Sequence, residues 1–134
     1  MNHRWKLFSM MVLQFAIWGA WLPLIFGYLP SLGFSDGEQA AILNAFPVAA
    51  IVGMFFGNQF ADRNFPAQRF LAASHLFGGA AMLGLGLVRE FWPFCVLMYA
   101  HCLFYVPTIS ITNAIAFAHL RDAPLELLSG LEAA

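Results

Sequence analysis

The six basic and seven acidic side chains of this sequence all fall outside four long apolar runs, at residues 7–32, 40–61, 70–88 and 91–118. Each run has about the 20 residues that a helix needs to cross a bilayer. Backbone groups in hydrocarbon find no water and must bond within their own segment, so such runs fold as helices. The pattern predicts an all-α integral membrane protein with four transmembrane helices, joined at 33–39, 62–69 and 89–90. Charged residues are 10% of the chain, against about 25% in a soluble domain. That is too few to cover a globular surface, so the bilayer is the expected solvent. A net charge of −1 without a basic cluster argues against a nucleic-acid partner.

The start of the chain, with Arg4 and Lys6 ahead of an apolar stretch, superficially resembles a signal peptide. The stretch runs on far beyond the 7–15 residues of an h-region and has no small-residue cleavage site. It reads as a first membrane helix that stays. Gly33 suits the end of that helix, and Ser35 with Glu38 three residues on forms a capping box for the next. The turn at 62–69 is charged and tight, with Asp62-Arg63 at one end, Pro66 in the middle and Arg69 at the other. Strict alternation puts Arg4, Lys6, Arg63, Arg69 and Arg121 on one side and Arg89 alone on the other. The positive-inside rule then places both termini in the cytoplasm of a cell-membrane (inner-membrane) protein. Cys95 and Cys102 share a helix face but lie about 10 Å apart along the axis, too far for a disulfide.

The second run carries Ala49, Gly53, Gly57 and Ala61, a small residue at every fourth position. Such a stripe allows two helix backbones to approach closely, within one bundle or between two copies. The third run is rich in glycine, with Gly78, Gly79, Gly84 and Gly86, and its His75 has no second ligand at i±3 or i±4. His75 therefore reads as a hydrogen-bonded packing residue rather than a metal ligand. The first and fourth runs differ from the others, combining aromatics, polar side chains and a proline. Gln14, Trp18 and Trp21 share one helical face, as do Tyr105, Thr108 and Thr112. Polar groups at membrane depth are costly and normally face a bundle interior or a wet cavity. Interrupted helices at equivalent positions of three-helix repeats mark a substrate path, and helices 1 and 4 would be those equivalents. Pro47 in the second run shows that prolines alone do not single out the pair.

Gly57-x-x-x-Ala61-Asp62-Arg63 with Arg69 resembles the loop signature of the major facilitator superfamily, with Asn64-Phe65-Pro66 replacing its usual glycine and basic residues. In that family the Asp caps a neighbouring helix and latches a conformational state, so Gly57, Asp62 and Arg63 are the implied gate. A narrower resemblance is to the nucleoside:proton symporters of that superfamily, the nucleoside and xanthosine permeases. It rests on Gln14-Phe15-x-x-Trp18-Gly19-x-Trp21-Leu22, on Tyr105-x-Pro107-Thr108-x-x-x-x-Asn113, and on His75 within Ser74-His75-Leu76-Phe77-Gly78. These matches run in register to about Ala123. They make 1–123 similar to the first four helices of a 12-helix major facilitator fold, and 124–134 a short tail unlike the family.

What the resemblance implies is proton-coupled nucleoside uptake by alternating access, with the proton as coupling ion and no bound cofactor. Gln14, Trp18, Trp21, Tyr105, Thr108 and Asn113 would line one wall of a substrate cavity. The implied partners are a nucleoside-like solute and the remaining helices of the same transporter, of which this chain would be a fragment. The four runs contain no Asp, Glu, Lys or Arg, so the acidic group that proton coupling needs is missing from them. Two alternatives stand beside this reading: a sugar permease-like transporter, and a small four-helix membrane protein acting as a homo-oligomer or interaction partner. An enzyme is not expected, because His75, His101 and His119 are not assembled with carboxylate partners into a catalytic constellation.

Overall fold

The computed structural model of the chain describes residues 3–54 and 67–132, which are helices and short connections. In chain order they are α1 (His3–Ser31), α2 (Asp36–Leu43), α3 (Ala45–Val52), α4 (Ala67–Leu85) and α5 (Phe91–Glu132). The all-α class expected from the apolar runs is what the chain adopts. Among the described residues, two helices are both long and apolar enough to cross a membrane by length and composition, Trp5–Ser31 and Phe91–Ala118. The third expected span, α4, has 19 residues, but Gln68, Arg69, Ser74, His75 and its glycines dilute its apolarity. The second is interrupted within its first half.

That interruption has a local cause. Proline at position 47 has no N–H to donate, and its ring crowds the carbonyl four residues back, which here is that of Leu43. Regular helix accordingly stops at Leu43 and restarts at Ala45, with Asn44 between them at φ −67°, ψ −10°. The bonds from Asn44 N–H to the Ala40 carbonyl (3.0 Å) and from Val48 N–H to the Asn44 carbonyl (3.1 Å) carry the ladder across the break. The result is a kink rather than a turn. Beyond α3 the backbone widens to π-helical geometry at residues 53–54.

The connection from α1 to α2 follows the expected chemistry. Gly33 takes φ +80°, a left-handed conformation that glycine adopts without a Cβ penalty. The Ser35 N–H then donates to Glu38 Oε2 at 2.8 Å, and the Glu38 N–H returns to Ser35 Oγ at 3.4 Å. Both halves of the capping box are present. Glu38 is solvent-exposed, and its carboxyl is held below its ordinary value, first by the Ser35 backbone N–H and then by the Ser35 hydroxyl.

α5 is the spine. Its 42 residues span about 63 Å at 1.5 Å per residue, longer than a hydrocarbon core. The fourth apolar run ends at Ala118, but the helix does not. The charged residues Arg121 and Asp122 follow the apolar run in sequence, yet neither residue type breaks a helix, so a span boundary and a helix boundary separate here. The other described helices pack on this spine, α4 and α3 most extensively. Ser74, Gly78, Ala81 and Leu85 are the buried face of α4, spaced 4, 3 and 4 residues apart as one side of a helix requires. A Cβ on Gly78 would meet Phe104 Cβ at 3.5 Å and the His101 carbonyl at 3.7 Å, so glycine lets α4 approach α5 closely.

Near the α1–α2 turn, Leu29, Phe34, Ile42, Ala45, Phe94 and Met98 form a buried apolar core. Phe34 meets Phe94 edge-on at 5.7 Å. Large apolar side chains elsewhere, such as Leu24, Phe26, Val96 and Trp92, point outward. In water that would be a liability. Against lipid it costs nothing, and helix association rests on close packing and interhelical hydrogen bonds instead. Ala49 is buried, and a Cβ on Gly53 would lie 3.4 Å from Pro107 Cγ of α5. The first half of the small-residue stripe is thus used within the chain, while Gly57 and Ala61 lie outside the described residues. Cys95 and Cys102 are both free thiols.

Candidate functional site

Two polar constellations join α1, α4 and α5 about midway along the spine. The first is closed. Gln14 Nε2 donates to Thr108 Oγ1 at 2.8 Å, Thr108 Oγ1 donates to the Tyr105 carbonyl at 2.5 Å, and Tyr105 Oη donates to the Gln14 carbonyl at 2.6 Å. Each hydroxyl serves a carbonyl, and the ring of bonds ties α1 to α5. Gln14 is 3% exposed, Tyr105 2% and Thr108 0%. Buried polar atoms in hydrocarbon must find partners, and these three largely satisfy one another.

The second constellation is open. A cavity of about 730 Å³ lies between α1, α4 and α5, walled by Trp21, Ser74, His75, His101 and Tyr105 among apolar residues. His101 Nδ1 lies 2.9 Å from the Gly78 carbonyl. A carbonyl only accepts, so Nδ1 carries the proton. The imidazole of His101 stacks on the Tyr105 ring at 5.6 Å and 8°, and meets the Trp21 indole at 5.7 Å and 87°. The His75 ring stands 6.5 Å from that of Tyr105. His75 was expected to be a hydrogen-bonded packing residue. Among the described residues it makes no hydrogen bond and instead edges the cavity. The space exists because Ala20, Gly78 and Gly79 put no bulk on the facing helices.

The six residues expected to form a substrate wall are therefore divided by the structure. Trp21 and Tyr105 line the cavity. Gln14 and Thr108 sit in the closed junction beside it. Trp18 turns to α3, where its indole stacks on Phe46 at 5.2 Å and 1°. Asn113 is half-buried and takes no part in the junction. The expected gate residues Gly57, Asp62 and Arg63 lie outside the described residues. Two wall residues, Ser74 and His101, are not among the six expected from the sequence to form the substrate wall. A signal was present: His101 precedes Tyr105 by four residues and Ser74 precedes Gly78 by four, which puts each pair on one helix face.

Apolar helices around a cavity edged by a few polar groups, with no charged side chain on its wall, are the build of a membrane transporter of small solutes. The sequence model of the Nucleoside H+ symporter family matches residues 1–127. The chain belongs to that family, which is one of transporters rather than enzymes. Among curated relatives, the putative nucleoside transporter YegT of Escherichia coli K12 is 37% identical over 117 residues, covering 87% of this chain and 28% of YegT. The nucleoside permease NupG of the same organism is 23% identical, covering 96% of this chain and 31% of NupG. Its xanthosine permease is 25% identical, covering 90% of this chain and 29% of that protein. The chain thus spans less than a third of the length of these relatives. No solved structure matches the chain.

Proposed function

We propose that this chain is the N-terminal four-helix part of a proton-coupled nucleoside transporter with the 12-helix major facilitator fold. A nucleoside-like solute enters the cavity between α1, α4 and α5, and the remaining helices of the bundle complete its far wall. Transport proceeds by alternating access, two six-helix halves rocking about a central site. The observation that carries this reading is the cavity. Its volume of about 730 Å³ falls in the range of about 300–1,000 Å³ typical of small-molecule sites. Its wall offers aromatic faces for a base and a few hydrogen-bonding groups for orientation, the usual recipe for such sites.

The names of the relatives add weight, since each is a nucleoside transporter or permease or a xanthosine permease. Five of the six basic residues fall on one side under alternation, which supports cytoplasmic termini in the cell membrane. Proton coupling enters through the family. The four apolar runs hold no Asp or Glu, so the acidic coupling group lies elsewhere in the transporter. Gln14 and Thr108 act in this reading as the hinge pin that holds α1 on α5, and Trp21 and Tyr105 as the contact surface. The test is labelled uridine uptake by cells expressing the chain in its native reading frame, with and without a protonophore. Uptake abolished by the protonophore and by Tyr105→Ala supports the reading; uptake indifferent to both refutes it.

A further inference from the structure

Two polar atoms at the cavity are buried without a hydrogen-bond partner among the described residues, His101 Nε2 and Trp21 Nε1. Both residues line the cavity, and their rings meet edge to face. His101 is 2% exposed and fixed on two sides, by the Gly78 carbonyl at Nδ1 and by the stacked Tyr105 ring. With the proton on Nδ1, Nε2 of the neutral ring is a bare acceptor, whereas an indole Nε1 is always a donor. Native walls rarely leave such atoms unpaired unless something else completes them. The half-buried Trp21 packs against the apolar core but has no described bond holding its N–H, so it is the less constrained member of the pair.

We propose that Trp21 and His101 form a donor–acceptor clamp for the ligand of this cavity, opened when the indole swings off the imidazole. The inference rests on the transport reading above and specifies the chemistry that the site takes: a ligand edge carrying a hydrogen-bond donor beside an acceptor. A nucleoside has two such edges. One is the vicinal diol of the ribose, and the other is the N–H/C=O edge of a uracil-like base. Either would give its donor hydrogen to His101 Nε2 and accept from Trp21 Nε1, leaving both buried atoms satisfied. Both atoms are buried where the two rings meet edge to face, so the clamp engages only when Trp21 yields.

Transport of radiolabelled uridine by membrane vesicles carrying the protein in its native reading frame tests this. Competition by 2′,3′-dideoxyuridine, which lacks the diol, and by 3-methyluridine, which lacks the base N–H, separates the two edges. We expect one analogue to compete about tenfold more weakly than uridine, the effect of one lost hydrogen bond. His101→Asn keeps an amide N–H where Nδ1 lies, and so the bond to Gly78, but places no acceptor where Nε2 lies. It should raise KM about tenfold and erase the discrimination between analogues, and Trp21→Phe should do the same. Equal competition by both analogues in the wild type, a result that needs no variant, overturns the clamp, as does His101→Asn with KM and discrimination intact. Should uridine itself not be carried, the transport reading falls and the clamp with it.

Discussion

Thr108→Val tests the junction that joins α1 to α5, and the cost can be worked from the bonds it breaks. Valine has the shape of threonine, and Thr108 is fully buried, so packing barely changes. What is lost is the acceptor for Gln14 Nε2 and the donor to the Tyr105 carbonyl. That carbonyl also lies within the α5 helix ladder, so its loss is small. Interhelical hydrogen bonds in membranes average about 0.6 kcal/mol and reach about 1.7 kcal/mol. The stranded Gln14 amide is the larger item, because a buried polar group left unpaired costs about 1–3 kcal/mol. Thr108→Val should therefore destabilise by about 1–3 kcal/mol, the cost of one unpaired buried polar group. Gln14→Leu should cost less, since it removes the amide and leaves Thr108 still donating to the Tyr105 carbonyl, while the Tyr105 hydroxyl keeps its backbone acceptor. The double variant should cost less than Thr108→Val alone, because no amide remains to be stranded. Denaturation of the purified protein in mixed micelles, followed by tryptophan fluorescence, gives the three values. Strictly additive costs would refute the junction, since coupling is the signature of residues in contact.

Two further outcomes follow from the packing and the caps. A Cβ on Gly53 would lie in ordinary contact with Pro107, so Gly53→Ala should be neutral or stabilising by up to about 1 kcal/mol through helix propensity. Gly53→Leu should destabilise by about 1–3 kcal/mol by wedging α3 off α5, both read by the same denaturation assay. The Glu38 carboxyl is held below its ordinary value by Ser35, so its contribution is complete above the unfolded carboxylate value and is lost as pH falls through the folded one. The denaturation midpoint of the wild type should decline across that acidic window more than that of Glu38→Gln; parallel pH profiles would rule the cap out as a contributor.

Much of the architecture is written in the placement of charge. Hydrocarbon permits few backbone solutions, so the described parts of the uncharged runs are helical, and Gly33, Ser35 and Glu38 end and begin helices by local rules that need no tertiary information. The kink at Asn44 was half legible: Pro47 was noted, but its effect falls on the carbonyl four residues back rather than at the proline itself. The length of α5 was hidden because apolarity marks where lipid ends and says nothing about where a helix ends. At the site, helical spacing correctly put Gln14 and Trp21 on one face of α1, and Tyr105 and Thr108 on one face of α5. It could not tell which polar groups would satisfy each other. Gln14 and Thr108 are spent on a closed junction, and Trp18 is drawn off to Phe46, because those outcomes depend on the distance between helices. His101 and Ser74 reach the cavity for the same reason: glycine and alanine on the facing helices leave room there, a matter of pairing across helices that no single helix records.

The central claim is that the space between α1, α4 and α5 is a wet, solute-accessible path in an otherwise lipid-embedded bundle. Single cysteines at Ala20, Ser74 and His75, in a background without Cys95 and Cys102, can be challenged in native membranes with a membrane-impermeant thiol reagent. Positions Leu24, Phe26 and Val96, which point outward, serve as the lipid-facing set. The account predicts labelling of the cavity set, slowed by added uridine, and none of the outward set. A cavity set as unreactive as the outward one, or labelled without regard to uridine, would contradict it.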